Sequence, residues 1–409
     1  MSRFMLAWEL GGNYGHLGKL VPLTHAIKDK GHDVALAVRD LAALGKCLDR
    51  TAATLLQAPI DSHPRRKCQP VSFADILDDV GFGSPERLDG LVRGWHGLFD
   101  LYRPEVVVAE YAPSAVFAAR LAGIPCLRMD TGFAIPPDVS PYPCFRPWLK
   151  LRREQLLEKE TGMLQAINQV REDYGYSAHE HLFQAVQADL TLLTTVPELD
   201  HYPARKGGRH IGPLLNLDTG QDIPWPGGNG PRIFAYLHPF PGLGLVLDGL
   251  RNCGGQTIAV VPGISQEICD RYRGSKFSIS DQPATLRHIL PKAELVVSHT
   301  GHGLTSAALL AGVPTLAIPT QIEQMMLMRT IERLGTGTGV TPNALRTHFQ
   351  EILQKTLADQ EITHRTQELA AKYSRYDERR TLARLITTIE RLPETIINRQ
   401  PDKQEKTYR

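Results

Sequence analysis

The sequence predicts an α/β protein built as two doubly wound parallel sheets, and three observations carry that prediction. A strand-helix-strand pattern opens the chain, a similar alternation restarts after residue 231, and a stretch dense in proline and glycine separates the two. At 409 residues the chain also exceeds the size at which a single hydrophobic core stops growing, so two domains are expected.

Residues 4–10 read as a buried strand, and Gly11-Gly12-Asn13-Tyr14-Gly15-His16 as the loop into a helix. That helix carries Leu17, Leu20, Val21, Leu23 and Ile27 on one apolar face and stops at Gly31. Residues 32–38 follow as a second strand, with His32 a structural residue at its entry. Residues 104–110 read as another strand ending in Glu110, then a helix over 114–121 and the turn Gly123-Ile124-Pro125. The boundary falls at 211–231. Beyond it, 232–237, 256–261, 276–280, 294–298 and 315–318 read as strands alternating with helices, a second doubly wound sheet. From about Asn343 the pattern is helical to Leu392. The expected division is therefore an N-terminal domain over 1–212, a linker at 213–230, a second domain over 231–375, a helix at 376–392 that crosses back to the first domain, and a polar tail at 393–409.

Composition excludes several functions. Hydrophobic residues at 42% and charged ones at 22% are ordinary for a globular enzyme, and a net charge of +2 with no dense basic run gives no field for nucleic acid. The six cysteines, at 47, 68, 126, 144, 253 and 269, show no metal-ligand spacing and read as reduced thiols. No run approaches the length of a membrane span and no leader pattern precedes the first strand, so a cytoplasmic protein is expected.

Two segments carry chemistry. In the second half, the apolar run 293–297 meets Ser298-His299-Thr300-Gly301-His302-Gly303-Leu304-Thr305 just where a helix should begin, so backbone amides and the helix dipole converge on a spot suited to phosphate. Pro319 and the pair Glu323-Gln324 follow; by themselves they also fit a helix N-terminus with a favourable acid in its first turn. In the first half, His16 sits in a glycine-rich loop. An imidazole there either caps the loop or, with an ordinary pKa of ~6.5, takes a proton near neutral pH.

Together these segments resemble the signature of nucleotide-sugar-dependent glycosyltransferases of the GT-B fold, which include the UDP-glycosyltransferases and the macrolide and antibiotic glycosyltransferases. His299, Gly301, Thr305, Pro319, Glu323 and Gln324 carry the second-half match, and the Gly15-His16 loop with the Gly31-His32 strand entry carries the first. The resemblance implies two Rossmann-like domains facing a cleft. It implies that His16 is the general base for an acceptor hydroxyl and that Glu110, where relatives have an aspartate, orients it or serves as a strand-end cap. It implies donor binding by His299, Gly301, Gly303, Thr305, Glu323 and Gln324, with His238 standing in a loop where relatives often have a Gly-Ser turn. Ala307 replaces an acidic residue that in many relatives binds the ribose.

The implied activity is a metal-independent, inverting transfer of a hexose from a UDP- or dTDP-sugar to a hydroxyl of a small or lipidic acceptor. The nucleotide-sugar is a co-substrate, and neither a cofactor nor a metal site is expected. The alternatives are a nucleotide-sugar hydrolase or epimerase of the same fold, and a catalytically silent nucleotide-sugar-binding protein. Acceptor contacts are expected within 57–82 and 132–153, where Phe133, Tyr142, Phe145 and Trp148 either wall a pocket or pack the loop. Leu149, Leu156, Met163, Ile167 and Val170 fall on one helical face beside Arg146, Lys150, Arg152 and Arg153, a core-facing helix or a peripheral membrane contact.

Overall fold

Runs of β-branched and apolar residues assemble into two six-stranded parallel sheets in the computed structural model, which describes residues 1–12, 14–44, 48, 52–63, 69–215 and 217–397. Contacts divide the chain into two compact units. The first comprises Met1–Thr195, Ala204–Leu214 and the chain from Glu378 on; the second comprises Val196–Pro203 and Leu215–Asp377.

In the first unit the order is β1 (Arg3–Trp8), α1 (Tyr14–Asp29), β2 (Asp33–Val38), α2 (Leu41–Leu44), β3 (Thr54–Gln57), α3 (Phe73–Asp79), α4 (Pro85–Tyr102), β4 (Val106–Glu110), α5 (Pro113–Ala122), β5 (Cys126–Asp130), α6 (Arg153–Asp173) and β6 (Leu190–Leu193). The second unit holds β7 (Arg232–Tyr236), α7 (Leu243–Asn252), β8 (Gln256–Val260), α8 (Gln266–Tyr272), β9 (Phe277–Ser280), α9 (Leu286–Ile289), β10 (Leu295–Ser298), α10 (His302–Leu310), β11 (Thr315–Ala317), α11 (Ile322–Leu334), β12 (Gly337–Gly339), α12 (Pro342–Thr347), α13 (Phe349–Ala358) and α14 (Gln360–Lys372). A last helix, α15 (Glu378–Ile397), belongs to the first unit.

The sheets run β3-β2-β1-β4-β5-β6 and β12-β11-β10-β7-β8-β9. Counted from each unit's own first strand, the two orders are the same, the doubly wound order whose direction reverses beside that first strand. The reversal lies between β1 and β4 in one sheet and between β7 and β10 in the other, and in such sheets ligands bind beyond the carboxyl ends of the strands at this point.

Because strand side chains alternate, Phe4, Leu6 and Trp8 of β1 face one layer, where they bury against Leu17, Leu20, Leu23 and Ile27 of α1 and Leu385, Ile386, Ile389 and Leu392 of α15. These α15 residues recur at helical spacing and form a single apolar stripe. His32 joins the same layer as a structural residue, accepting from Ser2 N at 3.1 Å and lying 3.0 Å from Glu390 of α15.

Four departures from the sequence reading have physical causes. Val196 and Leu199, placed in the N-terminal domain by sequence, bury with Leu309, Ala317, Leu327, Met328 and Ile331 of the second unit. Leu215, Leu217, Ile223 and Trp225, read as linker, pack on the Phe234 cluster of that unit. The helix α15 continues through Pro393 to Ile397: a proline removes one hydrogen bond, but the turns before it are already held by packing. Strand β12, Gly-Thr-Gly, has no apolar pattern to announce it; a Cβ at Gly337 would strike the Thr315 carbonyl of the neighbouring strand. The remainder of the tail, 398–409, lies outside the described residues, as do Asn13, Cys47, Cys68 and residues 64–67 of the 57–82 acceptor segment. Cys126, Cys144, Cys253 and Cys269 are free thiols. Among the described residues no helix is long and apolar enough to cross a membrane.

Candidate functional site

In the first unit, His16 and Glu110 meet at the sheet's reversal point. Strand β1 ends at Trp8 and releases the loop that carries His16 into the first turn of α1, while the adjacent β4 ends at Glu110. The His16 Nδ1 atom lies 2.9 and 2.7 Å from the two Glu110 oxygens, a contact spanning 94 residues of sequence. With a carboxylate as its partner Nδ1 carries the hydrogen, which leaves Nε2 as the proton-accepting nitrogen.

Packing fixes the ring. It stacks on Trp8 with centroids 5.3 Å apart and lies 5.9 Å from the ring of Tyr111. Nε2 projects over Gly11, whose φ of +81° belongs to the left-handed region and where a Cβ would collide with that nitrogen. Tyr111 follows Glu110 with φ at 45°, a conformation that costs a non-glycine residue of order 1–3 kcal/mol and clusters at functional sites. Its carbonyl accepts from Leu10 N at 3.1 Å, tying the end of β4 to the end of β1.

Two charged groups that the sequence reading did not single out complete the cluster. Lys19, one helical turn after His16 on α1, places its ammonium on Glu110 and 3.8 Å from Asp130 at the end of β5. Glu110 is fully buried, and Lys19 and Asp130 are 5% and 4% exposed. Burial alone would raise the Glu110 pKa, but the charges of His16 and Lys19 and their hydrogen bonds outweigh it and hold the carboxyl at about 2. Burial pulls the His16 imidazole down, yet the charge and hydrogen bond of Glu110 carry it above its ordinary value. Asp130 is pushed up, by burial first. Lys19 had a signal in the sequence: it is a lone cation amid the apolar positions Leu17, Leu20 and Leu23.

His16, Glu110 and Asp130 are also the cluster among the described residues whose ligand atoms lie close enough to hold a cation, all within 4.8 Å. The Lys19 ammonium already supplies positive charge at that position.

The aromatic residues proposed for the acceptor divide. Phe133 packs edge-on against Tyr111 and 5.1 Å from Phe145, and Tyr142 packs edge-on against Phe73. At 5%, 2% and 1% exposed, Phe133, Phe145 and Tyr142 hold their own loop in place, and Phe133 touches the His16 surroundings through Tyr111. Trp148 lies in a short turn with Leu149, and the two are 41% and 46% exposed. Leu149 therefore lies outside the apolar face of α6, which begins at Arg153 and buries Met163, Ile167 and Val170; the αL residue Lys150 breaks the helical register between them.

The second unit places its own residues at the matching reversal point. His238 follows β7 and His299 follows β10, with their rings parallel at 7° and centroids 6.2 Å apart. His299 is 5% exposed and its Nδ1 donates to the Ile318 carbonyl at 2.7 Å. Burial, with His299 beside it, lowers the His238 pKa. Thr300 has φ at 59°, so here too a non-glycine residue in the left-handed region follows the candidate side chain at the strand end. Gly301 caps α10, and the first amides of that helix, at His302, Gly303 and Leu304, precede any intrahelical acceptor. A Cβ at Gly301 or Gly303 would meet nothing within 4 Å, so open space lies over this turn.

The remaining donor-site residues are more constrained than the sequence suggests. The Thr305 hydroxyl donates to the Gly301 carbonyl at 3.0 Å and is buried, which stiffens the turn and removes it as a donor to a ligand. The Gln324 Oε1 accepts from Thr320 N at 2.8 Å and Gln321 N at 3.2 Å, so its carbonyl oxygen caps α11. Glu323, in the first turn of α11, lies 3.9 Å from the buried His201, whose ring stacks on His302 at 5.6 Å. Ala307 is 3% exposed inside α10.

Comparison with known proteins agrees with this architecture. No family model matches the chain. Over 71% of its length it is 26% identical to the PGL/p-HBAD biosynthesis rhamnosyltransferase of Mycobacterium bovis, covering 68% of that protein. The structure of CalG4, the calicheamicin glycosyltransferase, superposes with a TM-score of 0.73 at 15% identity, covering 95% of this chain and 98% of that one. The spinosyn rhamnosyltransferase SpnG complexed with thymidine diphosphate gives a TM-score of 0.69 at 17% identity, covering 95% and 100%. The chain is thus a glycosyltransferase of the GT-B fold, as its two motifs imply.

Proposed function

We propose that this glycosyltransferase moves a hexose from a UDP- or dTDP-sugar to an acceptor hydroxyl with inversion, and that His16 is the general base. The observation that carries the reading is the His16–Glu110 pair: an imidazole with Nδ1 fixed on a buried carboxylate and Nε2 presented over a glycine. An alcohol must lose its proton as it attacks the anomeric carbon, and Nε2 accepts it while Glu110 stabilises the resulting imidazolium.

The diphosphate would lie against the Gly301 turn and the first amides of α10, at His302 and Gly303, with His299 and His238 alongside, so that preorganised donors meet the charge that develops on the leaving group. No cofactor or metal is asked of this arrangement. Glu323 and the Gln324 NH₂ would hold sugar hydroxyls. The thymidine diphosphate bound by SpnG and the rhamnosyl transfer named for the mycobacterial relative favour a deoxyhexose donor of dTDP type. A lipidic acceptor accords with the exposed Trp148 and Leu149 beside Arg146, Lys150, Arg152 and Arg153, an edge suited to an anionic membrane surface. The carboxylate-bound base favours a catalytic reading over silent binding, which needs no group of that kind.

His16→Ala should abolish transfer, assayed as nucleotide diphosphate release in the presence of acceptor, while thymidine diphosphate still raises the melting temperature as in the native protein. Transfer at the native rate would remove His16 as the base.

A further inference from the structure

We propose that Lys19 is a positioning residue of the transfer reaction: its ammonium shares the Glu110 carboxylate with His16 and so sets how firmly that carboxylate holds a proton on the imidazole. The inference rests on the reading of His16 as the base.

Lysine is rarely buried without a compelling partner, and Lys19, at 5% exposed, has its ammonium on Glu110 and near Asp130. Its place on α1 follows from helical periodicity, because a residue three positions after His16 returns to the same side of the helix and reaches the same carboxylate from the other flank. The groups facing the His16 ring come from four elements: Trp8 of β1, Lys19 of α1, Glu110 and Tyr111 at the end of β4, and Asp130 of β5.

Two of these are carboxylates, and both favour a protonated ring. A ring protonated at neutral pH cannot take a proton from an acceptor. Lys19 opposes them with a positive charge placed on Glu110 itself. It binds Glu110 directly, so the carboxylate divides its charge between two partners and remains a hydrogen-bond acceptor for Nδ1–H without drawing a full proton onto Nε2. The directions of the shifts agree with this division: Glu110 and Asp130 push the imidazole up and Lys19 pushes it down. A lysine that served folding alone would give no reason for the imidazole's proton affinity to follow its charge.

The test is an NMR titration of the His16 ring in the full chain, its signal assigned by its loss in His16→Gln, together with the pH profile of kcat/KM. In Lys19→Gln the ring midpoint should rise by about one pH unit and the acid limb of the profile should move with it. Lys19→Arg, which keeps the charge, should restore the native midpoint. If Lys19→Gln fails to fold, the double variant Lys19→Gln/Asp130→Asn keeps the buried charge balanced; its midpoint should lie above that of Asp130→Asn alone. A midpoint unmoved by loss of the lysine charge in either background overturns the proposal. Because the ring titration needs no turnover, that failure is distinct from failure of the base assignment, which would appear as native transfer by His16→Ala.

Discussion

Replacing Glu110 with glutamine tests the centre of the first unit most directly. The carboxylate is fully buried, lies 2.7 Å from His16 Nδ1 and also binds Lys19, and its pKa falls from 4.5 to about 2. At about 1.4 kcal/mol per unit, that depression corresponds to roughly 3 kcal/mol favouring the folded, ionised state. A folded-state pKa below the unfolded value stabilises above about 4.5, and the contribution disappears as pH falls through about 2. Glu110→Gln should therefore unfold at pH 7 with a free energy lower by about 3 kcal/mol, less to the extent that Lys19 turns fully to Asp130, and the gap from the native protein should narrow below pH 4.5. Its His16 should titrate lower, because the charge that raises it is gone. Transfer should fall by up to about 10⁴-fold, the scale of losing a carboxylate that orients a catalytic imidazole. Urea unfolding followed by circular dichroism at several pH values, with nucleotide release as the activity assay, measures all of this. Native stability at pH 7 together with native turnover would refute the coupling.

Two further substitutions probe the two units separately. Gly11→Ala puts a Cβ against His16 Nε2 at a residue whose φ of +81° already disfavours a side chain; transfer should be lost and stability should fall by about 1 kcal/mol, while calorimetry should show thymidine diphosphate binding unchanged. Gly303→Val adds its side chain in open space over the α10 turn, so thermal melting should stay near native while calorimetry shows at least about a tenfold loss of nucleotide diphosphate affinity; undiminished affinity would move the phosphate site elsewhere.

The fold class, the two sheets and both reversal-point loops follow from local pattern: apolar runs of strand length, amphipathic helices, and glycines where the chain turns. Glu110 is pointed to by the family resemblance, where relatives carry an aspartate, and not by local pattern, which leaves a strand-end cap equally open. The sequence is silent where structure depends on residues that carry no local signature. Strand β12 is glycine and threonine, and forms because its neighbour offers unpaired backbone groups and no space for a Cβ. Thr305 and Gln324 look free to bind a ligand until the turn closes and occupies the Thr305 hydroxyl and the Gln324 carbonyl oxygen. Sequence alone determined that an imidazole and a strand-end carboxylate exist. Tertiary structure alone decided that the imidazole shares that carboxylate with a buried ammonium, since residues 16, 19, 110 and 130 meet only where parallel strands end side by side, and the energy of an ion depends on what surrounds it in space.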